Sequence, residues 1–409
     1  MALIVKKFGG SSVATPEKIF NIVNRVLRDK QPDDRIVVVV SAMGDTTDDL
    51  VSLAKEVTSM PYGREMDRLL STGEQVTIAL MALAFQAKGH AAVSMTGEQA
   101  GIATSDTFGK ARILDIEPKR VLDALDAGNI VVVAGFQGMT EAGDITTLGR
   151  GGSDTTAVAL AGAMQADVCE IFTDVDGVYS TDPRVAPGAV KLKEITYGEM
   201  LEMARLGAGV MQPRAVEMGH RYGVPIHVRS TFSDEEGTII REEYTMKANQ
   251  YAITGVADDT NVAKVSLVGV ENVPGVAHQV FQALANKSID VDMIVQSIRT
   301  TDDKRTDIVF TITRDDVNLA KQVLEDLGKS MSIEECVINE NMAKVSIIGA
   351  GMLGQPGVAA KMFGILSDEG VNIEIISTSE ISISCLVGEE HIKTAVRAIH
   401  DKLVLDGRG

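Results

Sequence analysis

The stretch Thr147-Leu-Gly-Arg-Gly-Gly-Ser-Asp-Thr-Thr-Ala157 (TLGRGGSDTTA) sets three glycines and an Arg–Ser–Asp set between two apolar runs. One run ends at Gly135–Phe136, and the other extends from Ala157 to Met164. Glycine carries no Cβ, so the backbone can approach a ligand closely and positive φ is allowed. The spacing predicts a helix capped by Ser153, with free N–H groups and the positive end of the dipole turned toward an anion. Arg150 adds a forked cation suited to carboxylate or phosphate, and Asp154 a carboxylate in the first turn. Read alone, the stretch is equally a glycine-rich turn before a capped helix. Its partners elsewhere in the chain decide.

At 409 residues the chain has room for two or three domains, each with its own core. A hydrophobic content of 45% and a charged content of 23% are those of an ordinary soluble globular protein. The net charge of −18 argues against a nucleic-acid or anionic-membrane partner. No apolar run approaches transmembrane length, and the start, MALIVKKFGGSSV, has too short an apolar core for a signal peptide. Cys169, Cys336 and Cys385 all fall in apolar strand-like runs, which reads as reduced, buried thiols in a cytoplasmic protein. The histidines show no metal-ligand spacing, so no metal site is expected; His220 and His227 read as helix and strand surface groups.

Leu3 to Lys6 predicts a short strand running into Lys7-Phe8-Gly9-Gly10. Thr15-Pro16-Glu17 starts a helix whose apolar face carries Ile19, Phe20, Ile22, Val23, Val26 and Leu27. Ile36 to Val40 is continuously apolar and β-branched, as a strand covered on both faces requires, and it ends at Ser41-Ala42-Met43-Gly44. Helical spacing spans Met66 to Gln86 and Pro118 to Ala127; strands fit Ala91–Met95, Asn129–Phe136, Val168–Thr173 and Pro225–Val228. Such alternation predicts an α/β fold with a mostly parallel sheet sandwiched by helices. Ligands of such sheets bind beyond the carboxyl ends of the strands, where Lys7, Ser41 and the glycine loop would gather. There Lys7 can reach phosphate oxygens, although a lone lysine at a strand end is also a common surface feature. Past the buried strand Val168–Thr173, Tyr179 could stack on a base and Arg184 could meet phosphate.

A polar stretch from Thr231 to Gln250 reads as a linker, and beyond it the chain repeats itself. Ala263-Lys-Val-Ser-Leu-Val-Gly269 recurs as Ala343-Lys-Val-Ser-Ile-Ile-Gly349, and each copy is followed by Pro-Gly-Val-Ala, at Pro274 and Pro356. A strand at Asp290–Ile294 matches one at Val371–Ile375, and a second helix follows each. The unit is β-α-β-β-α-β, a ferredoxin-like module present twice. Gly349-Ala-Gly351-Met-Leu-Gly354 matches a dinucleotide fingerprint, but the first repeat keeps the same architecture without those glycines, so the match reads as a decoy.

KFGGSSV (Lys7 to Val13), the glutamate of Ser71-Thr-Gly-Glu74, GRGGSD (Gly149 to Asp154) and TDVDGVYSTDP (Thr173 to Pro183) together resemble the aspartate kinase branch of the amino acid kinase family. The tail resembles that branch's pair of ACT domains, the first inserted within the second. The resemblance implies the amino acid kinase fold over residues 1–245, a linker and strand of the second ACT domain over 246–262, ACT 1 over 263–340 and ACT 2 over 341–409. It implies ATP-dependent phosphorylation of the L-aspartate β-carboxylate, with Mg²⁺ held largely by the phosphates. By the same resemblance Lys7 and Asp154 are catalytic. Lys7, Phe8, Gly9, Gly10, Ser41, Thr173, Asp174, Tyr179 and Arg184 would hold the nucleotide. Thr47, Glu74, Arg150, Gly151, Gly152 and Ser153 would hold aspartate, with Glu74 on the α-ammonium. Lysine and/or threonine would be the effector, met by Asn272, Gly275, Ala277, Asp292 and Gln296 in one repeat and by Gly357, Val358, Asn372 and Ile373 in the other. ACT pairing implies a homo-oligomer, and Met246 could start a separate regulatory subunit. A glutamate or acetylglutamate kinase, or a non-catalytic amino-acid sensor, are the alternatives.

Overall fold

Ile36 to Val40, an unbroken apolar and β-branched run, lies fully buried in the strand Arg35–Val40, with helices covering both of its faces. The computed structural model describes residues 2–243, 252–298, 305–329, 331–352 and 354–405. These fall into two units, and each is a separate piece of architecture. Met246 lies outside the described residues.

The first unit holds an eight-stranded sheet in the order Glu194–Thr196, Thr238–Arg241, Ile226–Ser230, Val168–Thr173, Leu3–Phe8, Arg35–Val40, Ile130–Ala134 and Ala92–Met95. All its pairings are parallel except that between Ile226–Ser230 and Thr238–Arg241. Helix Pro16–Asp29 begins as expected, with Thr15 Oγ1 accepting from the Lys18 N–H. Its buried Ile19, Ile22, Val23 and Val26 join Phe8, Val38, Val40 and Phe85 in one core. A four-stranded sheet of three- and four-residue strands, Ile113–Ile116, Ile102–Thr104, Gln137–Met139 and Ile145–Thr147, accompanies it.

The helical stretch expected to run unbroken from Met66 to Gln86 is two helices, Arg64–Leu70 and Thr72–Ala87. Hydroxyls cause the break: Ser71 Oγ donates to the Arg68 carbonyl and Thr72 Oγ1 to that of Leu69, competing with the helical ladder.

In the second unit the two repeats share one antiparallel six-stranded sheet: Ile294–Ile298, Arg305–Thr313, Gly255–Glu271, Glu335–Ile348, Ser382–Gly388 and Ile375–Thr378. The central strands are long enough to serve both repeats. Gly255 to Asp259 pairs with Ile348 to Lys344, while Lys264 to Val268 pairs with Asn339 to Glu335. The strand before residue 262 therefore joins residues after 340, as the inserted arrangement requires. Repeat-equivalent lysines reach across: Lys264 Nζ lies 2.7 Å from Glu374 and Lys344 Nζ 2.5 Å from Asp292.

Three expectations change here. The division is no single cut near residue 245, because Tyr179–Val190 and Arg205–Ala208 group with the second unit. The second strand of each repeat starts at Ile294 and Ile375, so Asp292, Asn372 and Ile373 lie on the approach to it; Asp and Asn are poor strand residues. Cys336 is exposed near the start of its strand, while Cys169 and Cys385 are buried.

Candidate active site

Along Leu3–Phe8 successive side chains alternate between the faces of the sheet. Lys6 turns to one face and pairs with buried Glu170; Phe8 shares that face and stacks on Phe172 at 4.6 Å. Lys7 turns to the other face, where its Nζ lies 2.6 Å from Asp154 Oδ1 in the first turn of helix Gly152–Ala163. Both side chains are largely buried, at 12% and 13% exposure. An ion pair so placed holds a cation at the carboxyl end of a central strand. Phe8 can offer a nucleotide only its backbone, because its ring is core.

Glycines set the packing beside this pair. A Cβ on Gly9 would stand 3.4 Å from Lys7 Nζ, and one on Gly10 only 3.0 Å from the Ala42 carbonyl oxygen. The loop after the strand thus lies against the loop Ser41–Gly44, fastened by the Gly44 N–H donating to Gly10 O at 3.0 Å. Ser41 Oγ donates to Ser153 Oγ at 3.0 Å. The predicted cap role of Ser153 does not hold. Left-handed Gly151 (φ 70°) stands at the cap position, which puts Ser153 inside the first turn with its hydroxyl on Ser41. Gly151 and Gly152 admit no side chain, since a Cβ would meet Gln212 Cγ at 1.8 Å or Leu148 Cβ at 2.9 Å.

Glu74, in the first turn of Thr72–Ala87, accepts from the Ala42 N–H at 3.0 Å through Oε1, and its buried Oε2 has no hydrogen-bond partner. Burial pushes its carboxyl up to about 7. Arg150 is exposed on the glycine turn, and among the described residues no ion pair involves it. The structure thus connects Lys7, Asp154, Gly9, Gly10, Ser41, Ser153 and Glu74 around one strand end. Thr47 lies half-buried near the start of helix Thr46–Val57. Thr173 ends the neighbouring strand and donates its hydroxyl to Asp174. Tyr179 and Arg184 belong to the second unit, where the Arg184 guanidinium is forked onto Asp182.

Two structural features of this region escaped the sequence reading. Phe136 adopts φ 69°, a strained conformation for a non-glycine residue, and directs its N–H to Thr156 Oγ1 beneath the glycine turn. Asp67 is a buried acid in helix Arg64–Leu70; a charge within an otherwise amphipathic apolar spacing was the available signal. His227 also differs from expectation. It is mostly buried at 18% exposure near Glu170, and burial lowers its imidazole below the usual value.

Among known proteins, the model of the amino acid kinase family matches residues 2–230, and that of the ACT domain matches 265–327 and 345–403. An aspartokinase of Bacillus sp. (strain MGA3) is 50% identical over 407 residues, which span 100% of this chain and 98% of the relative. The chain belongs to the aspartokinases of the amino acid kinase family. Among solved aspartokinases, E. coli aspartokinase III in complex with aspartate and ADP (R-state) superposes with a TM-score of 0.83 at 27% identity, covering 98% of this chain and 100% of that one. The same enzyme in complex with lysine and aspartate (T-state) gives 0.76 at 27%, covering 98% and 99%.

In the aspartokinase tail, Gly275 (φ 100°) and Gly357 (φ 96°) stand in left-handed cap positions before helices Val276–Ala285 and Val358–Asp368. Asn272 and Gln296 are exposed, Ala277 is half-buried, and Asn372 donates to Glu374. Ile373 packs against the core of the second repeat. Beside the second cap a cavity of about 260 Å³ is lined by Gln355, Gly357, Val358, Thr378 and Glu380.

Proposed function

We propose that this chain transfers the γ-phosphoryl group of ATP to the β-carboxylate of L-aspartate, forming 4-phospho-L-aspartate, with lysine and/or threonine acting on the ACT repeats. The observation that carries the reading is the Lys7–Asp154 pair at 2.6 Å beside a glycine loop. A carboxylate is already a nucleophile at neutral pH. The β-carboxylate oxygen attacks the γ-phosphorus, the bond to the β–γ bridging oxygen breaks, and ADP leaves with that electron pair. No general base is required, so catalysis is positioning plus neutralisation of charge on the moving phosphoryl group. Lys7 faces the β- and γ-phosphates, with Asp154 fixing its ammonium. Gly9, Gly10 and Ser41 bring backbone and hydroxyl donors close, and Thr173 and Asp174 adjoin the nucleotide. Arg150 clamps the substrate's α-carboxylate, Glu74 takes its α-ammonium, and Ser153 and Thr47 adjoin it.

Mg²⁺, if held mainly by the phosphates as the resemblance implies, would neutralise their charge. E. coli aspartokinase III binds aspartate, ADP and lysine, which supports the substrate, nucleotide and effector classes assigned here. The outer strands Ile294–Ile298 and Ile375–Thr378 carry exposed Ile294, Val295 and Ile376, which supports pairing of ACT repeats edge to edge between copies.

A double-mutant cycle tests the pair. Lys7→Ala should lower turnover by roughly 10²–10³-fold, the scale of losing one preorganised donor. Asp154→Ala should do likewise, and the double variant should be little worse than the poorer single one, because the two act as a unit. Near-normal turnover in folded Lys7→Ala, or fully additive losses, would count against the assignment.

A further inference from the structure

We infer that Asp67 is a positioning residue that fixes the separation between the two poles of the amino-acid site, Glu74 and Arg150. The inference rests on the roles proposed above for those two residues. Asp67 is 1% exposed, in the helix Arg64–Leu70 that directly precedes the helix bearing Glu74. Its carboxylate is fully engaged away from its own helix. Oδ2 accepts from the Thr147 N–H at 2.7 Å and from the Gly109 N–H at 2.9 Å, while Oδ1 accepts from Thr147 Oγ1 at 3.0 Å.

Thr147 is the residue from which the Arg150 turn departs. Its carbonyl accepts from the Ala111 N–H at 2.9 Å, so every polar group of Thr147 is held. Two residues on, Gly149 takes φ +77°, and a Cβ there would stand 3.0 Å from the Gly109 carbonyl oxygen. Asp67 thus grips both loops that meet at the root of Arg150. A second buried tie acts in parallel, with Gln137 Nε2 donating to the Ser71 carbonyl at 3.0 Å at the junction of the two helices. A carboxylate with three short bonds in a dry site is a stiff joint, and each bond is stronger there than in water.

The chemical consequence is selection by length. An α-amino acid bound between an acid at its ammonium and a cation at its carboxylate presents its side-chain carboxylate at a fixed reach. Aspartate and glutamate differ by one methylene, a difference that a pocket turns into about 10–200-fold only if its walls do not yield. Asp67 keeps them from yielding without touching the substrate.

The test uses the full chain, measuring KM for aspartate and for ATP and the rates with aspartate and glutamate. Asp67→Ala should raise KM for aspartate by about tenfold or more, leave KM for ATP unchanged, and narrow the preference for aspartate over glutamate. Asp67→Asn should restore most of the loss, because the amide oxygen accepts both N–H groups and the NH₂ donates to Thr147 Oγ1. If Asp67→Ala does not accumulate, Thr147→Val removes only the hydroxyl bond and should raise KM for aspartate by about two- to tenfold. Unmoved aspartate constants in these variants, both KM values rising in step, or an Asn variant as impaired as Ala would each overturn the inference. A wild type inactive toward aspartate removes the underlying reading and the inference with it, whereas an active wild type with unmoved variants removes the inference alone.

Discussion

Glu74 shows how the surroundings of one side chain set its ionisation. It is 2% exposed, with one oxygen on the Ala42 N–H and the other without a hydrogen-bond partner. Burial raises its carboxyl to about 7. An acid whose folded value exceeds its unfolded value binds more protons folded, so stability falls as pH rises from about 4.5 to about 7. Glu74→Gln imitates the protonated form and should be free of that loss. The variant's melting temperature should overtake the wild type's across this window, and parallel curves would contradict it. Since an ammonium needs the ionised acid, KM for aspartate should also climb below about pH 7. The acid itself was legible from its motif, but its burial against the Ala42 N–H was not, because that contact joins residues 32 positions apart. Ser153 was misread for a related reason. A serine in a helix's first turn looks like a cap until the left-handed Gly151 is seen to occupy that position.

The reciprocal ion pairs of the second unit belong to whole strands. Lys264 and Lys344 occupy equivalent positions of the two repeats, yet each meets an acid of the other. Their environments differ: the Lys344 side chain is 5% exposed and that of Lys264 is 20%. Removing Asp292 leaves a nearly dry ammonium unpaired, at a cost of about 1–3 kcal/mol, whereas Glu374→Ala frees a lysine that water can reach. Thermal unfolding should therefore show the larger loss for Asp292→Ala, and equal or reversed losses would contradict it. The repeat itself was legible because AKVS and PGVA recur with helices and strands in the same order. Where its strands begin was not, since Asp290–Met293 carries an apolar alternation although the regular strand pairing starts only at Ile294. The break at Ser71 was hidden likewise, for the apolar spacing continues through it while the hydroxyls of Ser71 and Thr72 and the distant Gln137 amide compete for the carbonyls there. Strands as short as Gln137–Met139 carry too few residues to show a period at all.

At the scale of the molecule, an acidic chain of net charge −18 is proposed to bind two anions, and it meets them with local cations rather than with its overall field. Six strands of the kinase sheet, and the ACT repeat, were legible as separate patterns. Glu194–Thr196 went unread, and Thr238–Arg241, read as part of a linker over Thr231 to Gln250, is a strand of the kinase sheet. The passage of Tyr179–Val190 into the second unit was not legible, because the run TDVDGVYSTDP reads as one continuous loop. If amino acids act on the ACT repeats, lysine or threonine, singly or together, should lower the initial rate, and indifference to both would leave the repeats with an assembly role only. The most direct measurement is the rate of hydroxamate formation when the full chain is given ATP, hydroxylamine and either L-aspartate or L-glutamate. Hydroxylamine traps an acyl phosphate as it forms. The account predicts ATP-dependent aspartyl hydroxamate at a rate about 10-fold or more above that with glutamate. No hydroxamate with aspartate, or an equal or faster reaction with glutamate, would contradict it.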